Sequence, residues 1–207
     1  MPFSPIVVAR HRAFVLPLLM LISDASILSL ARAADLPDAV CEIRFSGSSS
    51  LHDFSGSVPS LHASLRPSAV QGHWDVDVVV PVSGMRTDND ARDARMREML
   101  HSERGPEIRA TLLDIDPERT RQSSRLSGSL TIASVTRPIE AAVRNWQEQG
   151  PRVSFDAQVD LSLEDFSLEA PTVLGLIRVA DQVRVDAHVV VDRAGAAAAG
   201  QGGVHDG

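Results

Sequence analysis

The chain has 207 residues, 43% hydrophobic and 23% charged, a balance that lets a globular domain bury a core and excludes wholesale disorder. Its 20 basic residues are all arginine, against 27 Asp and Glu, and the formal charge of -7 removes any general attraction to nucleic acid. A single cysteine, Cys41, rules out an internal disulfide framework and a multi-cysteine zinc site in one protomer, while two tryptophans and no tyrosine argue against a surface for stacking bases or sugars.

Arg10, His11 and Arg12 precede an apolar run from Ala13 to Ile22, and the small-residue site Ala31-Arg32-Ala33 follows. This is the order of a secretory signal peptide. The run is shorter than the ~20 apolar residues of a bilayer span, and Asp24 interrupts its extension. Residues 1–33 are therefore expected to be a cleaved leader, with an uncleaved anchor as the competing outcome. Asp38-Ala39-Val40 is a poor lipobox, so Cys41 is read as a buried or edge thiol in the first strand.

From there period-two alternation dominates. It runs through Cys41 to Gly47, Phe54 to Leu65, and Trp74, Val76, Val78 and Val80. Thr87 or Asp88 then opens the one predicted helix, with Asp88 and Asp90 at its positive end, Arg95, Arg97, His101 and Arg104 toward its negative end, and Met96, Met99 and Leu100 as a short apolar stripe. Alternation resumes at Ile108, Ala110 and Leu112, at Leu126 to Ile132, and at Ile139, Ala141 and Val143. Two long strands follow, Val153 to Leu163 and Val183 to Val191. Gln71-Gly72, Asp116-Pro117 and Gly150-Pro151 read as turns between antiparallel neighbours. The prediction is an all-β domain over 34–193, an up-and-down barrel of about eight strands with the helix over one end. The Ala/Gly-rich tail, 194–207, is expected to be disordered. Ser50-Leu51-His52-Asp53-Phe54-Ser55 is echoed by Ser162-Leu163-Glu164-Asp165-Phe166-Ser167, which two similar strand-end turns explain as well as chance does.

Several runs, taken in order, carry a resemblance. They are Phe45 through Ser50-Leu51-His52-Asp53-Phe54-Ser55-Gly56; Met85-Arg86-Thr87 leading into Ala91-Arg92-Asp93 through Leu100; Pro106 to Ala110; Leu126-Ser127-Gly128 through Pro138-Ile139; and Asp165-Phe166 with Ala180-Asp181-Gln182-Val183. Across about Val40 to Val191 the chain resembles the YceI-like, polyisoprenoid-binding family of bacterial periplasmic proteins. The resemblance implies a lipocalin-like barrel whose elongated apolar cavity holds a long isoprenoid chain.

Such a carrier needs an apolar lumen, a polar mouth and a movable cover. Lumen candidates are Phe45, Phe54, Leu130, Ile132, Phe155 and Phe166, and the cover is Met96, Met99 and Leu100. Alternation alone also accounts for each of these as ordinary core. At the mouth, Arg92 is the candidate for an anionic headgroup, although an Arg92-Asp93 ion pair would leave the same sequence trace; Arg95 and Arg97 read as a solvated helix face. His52 is placed at the mouth too. Its neighbours Ser50 and Asp53 suggest a hydrolase, but adjacent strand residues point to opposite faces and no G-x-S-x-G elbow is present, so a histidine bonded to the turn backbone is the simpler reading. No catalytic residue, cofactor or metal is expected. The expected function is a periplasmic carrier of an isoprenoid or other long-chain lipid, a polyprenyl phosphate or a quinone tail, with transient contact to inner-membrane redox or lipid-handling proteins as its partner class. A filled barrel serving as an interaction module is the main competitor, and a hydrolase the lesser one.

Overall fold

A strand with one apolar and one polar face must hide the apolar one, and a sheet of such strands does so by stacking on another layer or by closing on itself. This chain closes. The computed structural model describes residues 38–173 and 177–193; the expected leader over 1–33 and the tail over 194–207 lie outside them. Seven strands pair in sequence order: β1 (Asp38–Ser49), β2 (Phe54–Pro67), β3 (Trp74–Pro81), β4 (Glu107–Ile115), β5 (Arg125–Ile132), β6 (Val135–Gln149) and β7 (Arg152–Ser162). After the two-residue β8 (Thr172–Val173), β9 (Ile177–Asp192) pairs with both β7 and β1 and completes an eight-stranded, wholly antiparallel up-and-down barrel. β8 only forms a short hairpin on the start of β9.

Alternation sends Cys41, Ile43 and Phe45 of β1 inward, and Trp74, Val76, Val78 and Val80 of β3. In β2 the inward set changes parity, from Val58 to Leu61, Ala63 and Leu65. The cause is a bulge: β1 advances from Cys41 to Ile43 while β2 runs from Leu61 to Val58, so one extra residue is absorbed at Pro59-Ser60. A proline is tolerated there because the ladder is already interrupted.

Two helices interrupt the barrel connections, one more than predicted. α1 (Asp90–Met99) joins β3 to β4. It starts later than the expected Thr87 or Asp88, because Asn89 is its cap: the Asn89 side chain accepts a hydrogen bond from the Arg92 N–H at 2.9 Å. α2 (Pro117–Ser123) joins β4 to β5, where the sequence predicts only a turn at Asp116-Pro117. Asp116 caps it, accepting from the N–H groups of Glu118 (2.9 Å) and Arg119 (3.2 Å), and Pro117 costs nothing at a first-turn position that has no partner for its N–H.

The interior holds two apolar clusters. One, toward α1, contains Phe45, Val58, Val80, Val82, Leu130, Ile132 and Phe166 among others. The second contains Ala39, Cys41, Ala63 and Leu65, with Trp74 against it. Ile43 and Val78 pack against both. Among the described residues no buried side-chain N or O atom lacks a hydrogen-bond partner, and no helix is long and apolar enough to cross a membrane.

Candidate functional site: an apolar cavity beneath α1

The site is assembled where the end of β1, the start of β2 and the connection into α1 meet. Phe45 pairs across the ladder with Gly56, and Phe54 with Gly47. Each ring occupies the space over its partner glycine: a Cβ at Gly56 would lie 2.2 Å from the Phe45 ring and 2.5 Å from the Arg86 carbonyl, and one at Gly47 would lie 2.8 Å from the Phe54 ring. Glycine is thus required at 56 because Arg86 passes across β2, exchanging backbone hydrogen bonds with Ser57 at 2.8 and 3.0 Å.

That crossing delivers Thr87 to Asp93, which is only 2% exposed. Asp93 Oδ1 accepts from the Thr87 hydroxyl at 2.6 Å and from the Thr87 N–H at 2.8 Å. The Thr87 hydroxyl holds the Asp93 carboxyl below the usual carboxylate range despite its burial, aided by the Thr87 N–H and by the charges of Arg97 and Arg86. Arg97 approaches to 3.9 Å. The sequence alternative of an Arg92-Asp93 pair is therefore not what forms. Arg92 instead lies over the Phe54 ring, 5.7 Å from its centroid, within cation–π range.

Beneath α1 is a cavity of about 300 Å³. Met96, Met99 and Leu100 line it from the helix side, and Phe45, Phe54, Phe166 and Ile132 from the barrel. Leu161, Val183 and Val185 extend the wall along β7 and β9. His52, Asn89, Arg92 and Arg95 also border it, so an otherwise apolar space carries polar and cationic groups. The sequence alone marks Arg95 as a solvated helix residue, and Val183 and Val185 only as strand. The alternation of β9 was the available signal for the two valines, whereas nothing local distinguishes Arg95 from Arg97.

Two lumen candidates sit elsewhere. Leu130 is 8% exposed and belongs to the core cluster without lining this cavity. Phe155 lines a second, smaller cavity of about 140 Å³, together with Cys41, Trp74, Trp146, and Pro117 and Thr120 of α2. Trp146 and Phe155 are stacked, with centroids 5.1 Å apart and planes inclined by 13°. Burial pushes the Cys41 thiol up to about 11, in keeping with the expected unreactive buried cysteine.

The echoed segments turn out to do parallel work. The Ser50 hydroxyl accepts from the Arg178 N–H at 3.1 Å, the Ser162 hydroxyl donates to the Asp181 carboxylate, and each segment places a phenylalanine, Phe54 or Phe166, against the cavity. Ser50 is thereby tied to β9 rather than to His52. The His52 backbone closes the turn, its carbonyl accepting from the Ser49 hydroxyl at 2.7 Å and its N–H donating back at 3.2 Å. Among the described residues no group of three or more His, Cys, Asp or Glu is placed to hold a metal ion.

A closed eight-stranded barrel with an apolar cavity under a helix is a lipocalin-like architecture. The sequence pattern of the YceI-like domain matches residues 38–191, and the chain belongs to that family. Among solved structures it is similar to a polyisoprenoid binding domain from Saccharophagus degradans implicated in plant cell wall breakdown, at 16% identity and a TM-score of 0.57, covering 76% of this chain and 99% of that one. It is also similar to BcnA of Burkholderia cenocepacia, at 14% identity and a TM-score of 0.53, covering 72% of this chain and 95% of that one. Both likenesses are of fold. Comparison with curated proteins gave no match.

Proposed function

We propose that this protein is a non-enzymatic carrier of an isoprenoid lipid, exported to the periplasm, which holds the chain in the cavity beneath α1 and the headgroup at Arg92, Arg95 and His52. The observation that carries the reading is the cavity itself: an apolar space bounded by phenylalanines and methionines, with two arginines at its border. Methionine suits a wall that must adapt to a branched chain, and arginine forks suit a phosphate or a quinone-type oxygen. Roughly ten buried carbons would contribute ~8 kcal/mol, enough for a reversible complex once association costs are met. The polyisoprenoid binding domain that shares this fold supports the choice of lipid class. A polyprenyl phosphate and a quinone tail both fit that chemistry, and the proteins that would deliver or receive either are inner-membrane redox or lipid-handling proteins. The basic, apolar and small-residue order of residues 1–33 supports export and a mature chain beginning near Ala34.

The deciding experiment is mass spectrometry of lipids that co-purify with the protein, followed by titration of the delipidated protein with polyprenyl phosphates. An isoprenoid retained in stoichiometric amount is the expected result. A protein that purifies lipid-free and takes up no isoprenoid overturns the carrier. For the location, N-terminal sequencing of the exported form should start near Ala34, and recovery of the Met1 end in the membrane fraction would replace the free carrier by a tethered one.

A further inference from the structure

We infer that Ile43 and Val78 partition the lumen and make this barrel select short prenyl chains over long ones, an inference that rests on the isoprenoid reading of the α1-side cavity. The lining residues show the gap. On β1, Phe45 borders the α1-side cavity and Cys41 the far one, and Ile43 between them lines neither. The same step recurs on β9, where Ala187 separates Val185 from Val189, and on β4, where Ala110 separates Ile108 from Leu112. These positions are in register: Ile43 pairs with Ala187, and Val78 with Ala110. Ile43, Ala187 and Ala110 line neither cavity and Val78 lines only the far one, and the two bulky side chains of this set, Ile43 and Val78, pack against both apolar clusters.

The consequence is a ruler. An anionic headgroup held at Arg92 and Arg95 fixes one end of the ligand, and the partition stops the other. The space between is about 300 Å³, the lower end of the ~300–1,000 Å³ typical of small-molecule sites. A chain of a few isoprene units fills it, whereas a much longer one must either leave carbons in water or displace Ile43. Because β-branched isoleucine has few rotamers, it does not swing aside as a methionine would.

The two tryptophans make the partition observable. Trp74 and Trp146 both line the far cavity, and neither lines the α1-side one. A chain confined beneath α1 leaves their emission unchanged, and a chain that crosses the partition reaches them.

The test is equilibrium binding of farnesyl phosphate and undecaprenyl phosphate, in the same detergent, to protein purified from cells expressing the full chain, with tryptophan emission recorded alongside. Wild type should bind farnesyl phosphate about tenfold or more tighter than undecaprenyl phosphate, a difference well outside measurement error, with no change in emission. I43A should abolish the preference, and the long chain should then shift the emission; I43V should keep the wild-type behaviour. Should I43A fail to fold, the wild-type preference and V78A carry the same test. Wild type binding the long chain as tightly as the short one, with shifted emission, overturns the partition and leaves the carrier standing. Folded wild type and variants that bind neither lipid overturn the carrier and the partition together.

Discussion

The two ends of this barrel are made from the same alternating strands and differ in what crosses them. At one end a long connection carries Arg86 over β2, buries Asp93 under Thr87 and lays α1 across a cavity bordered by His52, Arg92 and Arg95. At the other, the short α2 contributes Pro117 and Thr120 to a smaller space walled by two tryptophans, a phenylalanine and a high-pKa thiol. Strand alternation makes a lumen anywhere along its length; the far cavity is bordered by one charged residue, Arg193 directly after β9, which pairs with Glu148 at 3.5 Å, whereas the long connection that folds back brings both Arg92 and Arg95 to the α1-side mouth. The end with the more elaborate connection is therefore the one where two arginines and a histidine border an apolar cavity.

Substitutions at the two ends should separate accordingly. The largest effect is expected for Phe166→Ala, since this side chain is 2% exposed in the α1-side cluster: a loss of about 3–5 kcal/mol in denaturant unfolding. Phe155→Ala, at the half-buried stack with Trp146, should cost only ~1.5–3 kcal/mol and should alter tryptophan emission. A reversed order of the two would mean that the far end is the structural core of the barrel.

Comparable to Phe166→Ala in size is Asp93→Ala, which strips the acceptor from two Thr87 donors and should cost about 1–3 kcal/mol per buried donor left unpaired. The charge of Asp93 has a direction in pH as well. Its folded pKa is depressed, so its contribution is fully present above the ordinary aspartate value of ~3.9 and is lost as pH falls from there through the folded value. Acid should therefore loosen the α1 end, with bound lipid released on acidification, and Asp93→Asn should remove that part of the pH dependence. Release unaltered by the asparagine would assign it to other carboxylates.

Met96→Asp probes the cover alone. Losing one apolar contact on a helix that buries little should cost ~1–3 kcal/mol locally, so lipid retention should fall further than the thermal midpoint. A midpoint that drops as far as that of Phe166→Ala would make α1 part of the core. The smallest effect belongs to the far end: Cys41, 4% exposed and with its thiol pushed up to about 11, should remain unmodified by a thiol reagent near pH 8 until the protein unfolds. Rapid labelling of native protein would show that the far chamber opens to solvent.

Much of this was legible in the sequence because its signals are local. Period-two alternation in Val153 to Leu163 and Val183 to Val191 specifies strands whatever surrounds them, and the short stripe Met96, Met99 and Leu100 marks the apolar side of α1. α2 was missed although Asp116-Pro117 is a sound helix start, because seven residues offer no periodicity to weigh against a turn. The cap at Asn89 was missed because Thr87, the more obvious capping residue, is bonded to Asp93 instead.

Sequence alone thus determined the class, the approximate strand count and the inward side of strands whose alternation is unbroken, since alternation follows from the backbone pleat and requires no partner; where a bulge shifts the parity, as in β2, it did not. Tertiary structure decided which inward residues meet. Phe155 and Phe45 obey the same rule and end in different cavities, Leu130 packs into the core while Ile132 borders open space, and Ile43 stands between two chambers. Height along a closed barrel depends on the register of every strand pair, including the bulge at Pro59-Ser60, and register belongs to the assembled sheet and not to any one of its strands.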